Sequence, residues 1–472
     1  MTNKIVETIK KIVGEKVKFS VAASEKPEFG HYSTNVAFAV GGDPQKLADE
    51  ILRQAPDFFE KVEVAGRFIN FWISKSALIE ELSALLRNTK KYEYTKKKEK
   101  INLEFVSANP TGPLTMANGR GGFYGDVLAN VLEEAGHKVT REYYINDAGN
   151  QIKLLGESIA LSLGKAPLKE EHYKGEYIKT LAQRLKSKLQ NPNYQADSEE
   201  VGRWAAKELL KEIKKSLTNV GIKFDVWFSE YEELRGGDPS TGSGLINKIL
   251  KLLEKNDLLI KKEGAVWLKT SDIADEKDRV LVKSNGEPTY FLVDLAYHYN
   301  KLIKRKFDKA IDIWGADHHG YVKRLESGIK ELGIRPDRLK IIIMQLVRLV
   351  EAGKEAKMSK RAGEFITLDD LIKEVGKDAA RFFFLMHSPG THMDFDLALA
   401  KEKSPKNPVY YAQYAFVRCN SILKKSKLQN FSLREMPRRD TNYKQITKSK
   451  FQTESELNLV RELIKLPDVV MQ

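Results

Sequence analysis

Two stretches of this chain share one local order: an apolar strand, a tight turn and a helix. The first runs from Ile101-Asn102-Leu103-Glu104-Phe105-Val106 through a glycine-rich turn into a helix expected over about 122–135. The second is Lys309-Ala310-Ile311-Asp312-Ile313-Trp314-Gly315, followed by a polar turn and another helix. Parallel strands need a crossover helix between them, so this alternation predicts an α/β doubly wound parallel sheet, Rossmann-like in layout. Ligands of such sheets sit outside the carboxyl ends of the strands, which assigns both turns to one cleft.

The flanks read differently. Helical Leu47-Ala48-Asp49-Glu50-Ile51-Leu52 and alternating Val62-Glu63-Val64-Ala65, leading to Phe68-Ile69-Asn70-Phe71-Trp72, predict a small N-terminal α+β domain over 1–88. The lysine-rich run 90–100 breaks the periodicity as a linker does. After about Pro405 the chain becomes helical and basic, so the expected division is 1–88, a catalytic domain over 89–388, and an all-α helical domain over 389–472. Arg434 to Lys450 reads as a loop.

Composition narrows the setting. The longest strongly apolar patch, Ile341 to Val347, is far shorter than the roughly 20 residues that cross a bilayer. The N-terminus lacks a signal core, and the single cysteine, Cys419, cannot form an internal disulfide. A cytoplasmic protein with no membrane association is the expectation. A formal net charge of +14 suits a polyanionic partner, nucleic acid above all, although surplus lysine also serves solubility.

Lys357-Met358-Ser359-Lys360 places two lysines three apart among small residues, where both ammonium groups can reach a triphosphate and stabilise charge as pyrophosphate leaves. An isolated match of four residues is more often a solvated basic loop. Its context is Ser107-Ala108-Asn109-Pro110-Thr111-Gly112-Pro113-Leu114, then Thr115-Met116-Ala117-Asn118-Gly119-Arg120, a strand end and turn leading to a helix N-terminus that favours phosphate.

In this order and at these positions the chain resembles the class I aminoacyl-tRNA synthetases. The run 107–114, Arg141 to Ile152, Pro288 to His298, Trp314 to Tyr321 and Asp378 to Leu385 resemble arginyl-tRNA synthetase in particular, and the likeness extends from about Phe29 to Leu423. The resemblance implies that arginine and ATP form arginyl-adenylate, and that the arginyl group passes to the terminal adenosine of tRNA(Arg). It also implies ATP as a substrate with Mg2+ accompanying it, and no protein-bound metal or organic cofactor. Adjacent His318 and His319 lack a defined third ligand and argue little for a metal. Residues 1–88 resemble the family's add-on domain that touches the tRNA elbow, and 389–472 the beginning of its anticodon-binding helices. A monomer is expected.

Tyr290-x-x-x-Asp294 puts a hydroxyl and a carboxylate on one helical face, and Glu104 adds an acid at a strand end. By resemblance Glu104, Tyr290 and Asp294 recognise the guanidinium, and Asn109 and His318 hold the α-amino and carboxylate end. Thr115, Asn118, Lys357, Ser359 and Lys360 are the implied catalytic set. Ala117, Gly119, Gly315, Asp317 and Met358 are implied to line the ATP pocket. Most relatives carry His-x-Gly-His where this chain has Thr115-Met116-Ala117-Asn118. Thr115 and Asn118 still supply donors, as they do in tryptophan-specific members of the class. Ala117 adds a methyl where glycine lets adenine approach, which raises a second reading, a non-catalytic tRNA-binding relative; the intact lysine pair argues against it. A synthetase for another amino acid, or a pantothenate-activating type of nucleotidyl transferase, would lack the acids for a guanidinium.

Overall fold

The computed structural model describes residues 1–24, 26–87, 98–164, 169–189, 197–237, 244–269, 278–351, 354–355, 366–425 and 454–465. They form two compact units, one of residues 1–96 with 134–136 and 426–472, the other of residues 97–133 with 137–425. The described part of 389–472 falls on both sides of this division: the helix Pro408–Lys425 groups with the second unit and Glu454–Ile464 with the first.

The first unit is an α+β layer. Strands β1 (Val21–Ala23), β2 (Tyr32–Thr34), β3 (Phe59–Ala65) and β4 (Phe68–Ile73) form an antiparallel sheet in the order β1-β2-β4-β3. Helices α1 (Thr2–Val13), α2 (Val36–Val40), α3 (Pro44–Gln54) and α4 (Lys75–Arg87) complete it. Ile5, Ile9, Ile51, Ile69 and Phe71 are its fully buried centre, joined by Val460 from Glu454–Ile464. Leu459 and Leu463 of that last helix stay exposed.

The second unit is built on five parallel strands: β5 (Lys100–Glu104), β6 (Lys138–Ile145), β7 (Val226–Ser229), and, further along the chain, Lys309–Gly315 and Leu339–Met344. Strand Leu339–Met344 forms one edge, followed by Lys309–Gly315, β5, β6 and β7. The chain winds from β5 outward to β7 on one side and returns to build the other side. The switch point therefore lies between β5 and Lys309–Gly315, where a doubly wound sheet opens its ligand crevice.

Strand alternation gives the sheet two unlike faces. Ile101, Leu103 and Phe105 point into a core shared with α5 (Met116–Glu134), while Asn102 and Glu104 point to the other side. Helix α5 begins at Met116, six residues before the expected start, so most of the glycines read as a turn lie inside the helix. A threonine cap at its start and burial of its face outweigh the roughly 1 kcal/mol helix cost of each glycine. Gly125 shows what the glycines permit: a Cβ there would lie 2.3 Å from Cγ of Phe105, so only glycine lets the helix settle this closely on β5.

Between β6 and β7 come α6 (Asn150–Gly164), α7 (Glu176–Leu189) and α8 (Ser198–Asn219), with a core of their own around Ile152, Leu155 and Ala205. After β7 follow α9 (Leu245–Lys255), the antiparallel hairpins β8 (Leu259–Lys262), β9 (Ala265–Leu268) and β10 (Arg279–Val282), and α10 (Tyr290–Tyr299). Lys309–Gly315 is β11, Leu339–Met344 is β12, and α11 (Val322–Glu331) connects them. A smaller sheet of β13 (Val347–Glu351), β14 (Lys354–Glu355) and β15 (Met393–Asp396) follows, with α12 (Leu368–Val375) and α13 (Lys377–Leu385) between β14 and β15. Arg120 of α5 is buried there, donating to the carbonyls of Gln345, Ser388 and Thr391 at 2.7–2.9 Å.

Candidate active site

Strand β5 does not end in an ordinary turn. Val106 and Ser107 have φ of 66° and 38°, a region that non-glycine residues, and β-branched ones above all, rarely enter. Such conformations cost on the order of 1–3 kcal/mol each and persist where the surroundings hold them. What they achieve here is to fold Ser107 back, so that its hydroxyl donates to Glu104 Oε1 at 2.9 Å and accepts the Tyr144 N–H at 3.1 Å.

Sheet register then lines up three acids. Glu142 on β6, Glu104 on β5 and Asp312 on β11 are direct neighbours across adjacent strands. Carboxylates about 5 Å apart repel by about 3 kcal/mol per pair at an effective dielectric of about 20, so the row needs cations. Lys301 supplies one, 2.6 Å from Glu104 Oε2 and 2.8 Å from Asp312 Oδ1. Arg305 pairs with Glu142, which also accepts from the Tyr297 hydroxyl at 2.7 Å. His298 Nε2 lies 2.8 Å from Asp312 Oδ2. Burial alone would raise the Asp312 pKa, but Lys301 and His298 outweigh it and hold the group at about 2. For Glu104 burial wins over the attraction of Lys301, and its pKa is raised.

Helix α10 brings the next layer. Tyr290, Asp294, Tyr297 and His298 recur at helical spacing and face the polar side of the sheet, where a core-facing helix would ordinarily place apolar residues. Asp294 accepts the Tyr321 hydroxyl at 2.7 Å and has no ion pair among the described residues. Burial raises its pKa to about 6 despite that hydrogen bond.

These groups enclose one cavity of about 1030 Å³ at the switch point. Among the residues expected at the site, Glu104, Asn109, Thr115, Asn118, Tyr290, Asp294, Gly315, Asp317 and His318 all line it. Asn109 is tied to Gln151 at 2.6 Å. Tyr290 is 65% exposed at the mouth. His318, also exposed, lies 3.3 Å from Asp317. Ala117 and Gly119 are not among the lining residues: Ala117 is exposed, and Gly119 is buried, where a Cβ would lie 2.7 Å from Leu368 Cδ1. Lys357, Met358, Ser359 and Lys360 lie outside the described residues.

Comparison with known proteins gives this geometry a family. A model described as "tRNA synthetases class I (R), catalytic domain" matches residues 81–385, and one described as "Arginyl tRNA synthetase N terminal domain" matches residues 1–73. The chain belongs to the arginyl-tRNA synthetases. It is 42% identical to an arginine–tRNA ligase of Carboxydothermus hydrogenoformans over 471 residues, covering 96% of this chain and 82% of the relative. Identity to the ligase of Acetivibrio thermocellus is 40% over 511 residues, covering 100% and 88%. The solved arginyl-tRNA synthetase of Thermus thermophilus shares the fold, with a TM-score of 0.74 at 21% identity over 100% of this chain and 86% of that one.

In this arginyl-tRNA synthetase the rewritten first signature is a helix cap. Asn118 Oδ1 accepts both the backbone N–H and the hydroxyl of Thr115 at 2.8 Å, and the Asn118 N–H faces Thr115 Oγ1 at 3.4 Å. This reciprocal arrangement fixes the first turn of α5. It uses the Thr115 hydroxyl proton internally and leaves the Asn118 amide Nδ2 as the donor for a ligand. The Met116 N–H donates to the Ile366 carbonyl at 3.0 Å and the Leu368 N–H to Leu114 at 2.8 Å. Ile366 and Leu368 are thus hydrogen-bonded beside this signature.

Several lining residues of this synthetase were not singled out by sequence: Asp312, Tyr297, Tyr144 and Tyr321. A signal existed for Asp312, an acid at an inward position of an otherwise apolar strand. None existed for Tyr144, whose hydroxyl finds Glu230, 86 residues away, at 2.7 Å.

Proposed function

We propose that this chain is an arginine–tRNA ligase whose substrates are arginine, ATP with its Mg2+, and tRNA(Arg). The observation that carries the amino-acid specificity is Asp294. It is a carboxylate without an ion pair among the described residues, inside a cavity where its buried neighbours Glu104 and Asp312 are both paired with Lys301. A guanidinium offers planar donors and a permanent charge, which match that vacancy; Asp294 and Glu104 bind it, and the Tyr290 hydroxyl closes over it from the mouth. Asn109 and His318 hold the α-amino and carboxylate end of arginine.

In the first step a carboxylate oxygen of arginine attacks the α-phosphorus of ATP. The new P–O bond forms as the bond to pyrophosphate breaks, and charge accumulates on the departing oxygens. Asn118 at the helix N-terminus, with Lys357, Ser359 and Lys360, stabilises that charge, while Thr115, whose hydroxyl proton goes to Asn118, holds the asparagine in place. Ala117, Gly119, Gly315, Asp317 and Met358 accommodate the nucleoside end, Gly119 acting through its packing against Leu368. In the second step a ribose hydroxyl of the terminal adenosine of tRNA attacks the arginyl carbonyl carbon and AMP leaves. No covalent enzyme intermediate is required, so positioning and charge stabilisation supply the rate. Residues 1–88 contact the tRNA elbow and the basic C-terminal helices its anticodon arm. The enzyme works as a monomer in the cytoplasm; among the described residues no helix is long and apolar enough to cross a membrane.

ATP–pyrophosphate exchange tests the reading. Exchange is expected to require arginine and to be promoted by tRNA(Arg). Equal exchange with lysine would refute the guanidinium assignment. Arginine and tRNA binding without any exchange would favour the non-catalytic relative.

A further inference from the structure

After α10 the helix widens into a π-helical turn over Asn300–Lys304, closed by the Arg305 N–H donating to the Asn300 carbonyl at 2.8 Å. Such turns are rare and concentrate at functional sites. This one aims two cations at the acid row: Lys301 at Glu104 and Asp312, and Arg305 at Glu142. Lys301 has no solvent exposure, and its ammonium also lies 4.0 Å from the Tyr297 ring centroid. Burial alone would push its pKa down, but Asp312, Glu104 and Glu142 more than offset that, and the ammonium stays charged.

We propose that Lys301 is a positioning residue of the arginine site, a resident counter-ion that keeps Glu104 ionised and fixed so that both it and Asp294 face the incoming guanidinium as acceptors. This rests on the arginine reading above. Glu104 is the member of the row most dependent on Lys301. Asp312 has His298 on its second oxygen, and Glu142 has Arg305 and Tyr297. Among the described residues Glu104 has only the neutral Ser107 hydroxyl besides Lys301, and Asp312 and Asp294 add repulsive charge. Without the ammonium, the least costly response of two buried neighbouring carboxylates is for one to take up a proton. A protonated Glu104 loses its charge and turns one acceptor into a donor, facing a ligand that can only donate.

The test uses the full chain with Lys301→Met, a swap of similar length without charge. Arginine and ATP KM are measured by exchange between about pH 6 and pH 9. The expected result is an arginine KM raised about tenfold or more near neutral pH, a gap that narrows as rising pH restores the Glu104 charge, and an ATP KM within about twofold of the parent. An unchanged arginine KM, or a pH-independent rise of both constants, would overturn the proposal. If Lys301→Met folds poorly, the double variant Lys301→Met with Glu104→Gln removes the uncompensated charge and is expected to melt at a higher temperature than the single one; equal or lower melting overturns the counter-ion role. A parent chain whose exchange ignores arginine sinks the arginine reading itself. An arginine-dependent parent with an unaffected Lys301→Met sinks only this inference.

Discussion

The two faces of the parallel sheet come from the same strands and differ in what their burial is for. On the α5 face, Ile101, Leu103 and Phe105 pack against a helix that approaches closely through Gly125. On the α10 face the adjacent residues Asn102 and Glu104, with Glu142 and Asp312, are also buried but polar, and among the described residues both side-chain polar atoms of Asn102 find no partner. Apolar burial stabilises by roughly 25 cal/mol per Å² whatever the orientation of the groups. A buried carboxylate costs stability unless paired, and its pairing depends on geometry to a fraction of an ångström. The first face therefore holds the fold together. The second retains an unfavourable arrangement of buried charges, which is the signature of a site.

Substitutions on the two faces should consequently separate stability from substrate binding. The largest effect is expected for Asp294→Asn. Losing the carboxylate proposed to meet the guanidinium should lower kcat/KM for arginine by about a thousandfold, near 4 kcal/mol, with ATP KM little changed and the melting temperature equal or higher, because the neutral amide removes a buried charge. A melting temperature that fell with activity would erase the distinction between the faces. Next comes Gly125→Ala, whose added methyl meets Phe105 and should cost about 1–3 kcal/mol in denaturant unfolding while arginine KM stays near the parent value. Stability equal to the parent would show that α5 can withdraw from β5 freely.

The smallest effect sharpens the polar face by pH. Folding raises the Asp294 pKa to about 6 from an ordinary 3.8, so the folded state favours the protonated form. The stability this gives is present at acid pH and is lost as pH rises through about 6. The proposed contact with arginine needs the opposite, ionised form. Arginine KM should therefore rise about tenfold per pH unit below about 6 and level off above it, with ATP KM following no such course. A flat arginine profile down to about pH 5 would mean that Asp294 does not meet the guanidinium.

Much of this was legible in the sequence, for local reasons. The strand–turn–helix order of 101–134 and 309–331 follows from periodicity, and the spacing of Tyr290 and Asp294 places both on one face of α10. The start of α5 was not legible, because a glycine-rich run argues for a turn by propensity. Its helix rests on the Thr115–Asn118 cap and on packing against Phe105 at the end of the preceding strand and Leu368 of α12, the last from a distant part of the chain. Lys301 was invisible for a related reason: a lysine beside Lys304, Arg305 and Lys306 looks like part of a solvated basic run.

The sequence by itself determined the class of fold, the family, and which residue types are available for a guanidinium and a triphosphate, since each is written in short-range spacing and motif order. Only the tertiary structure decided which carboxylates are paired and that Asp294, among the described residues, is not. Glu104 and Asp312 are 208 positions apart in the chain, yet become neighbours because β11 inserts beside β5 in one register. Charge interactions are settled by a few ångströms between such strangers, and no local pattern encodes that distance.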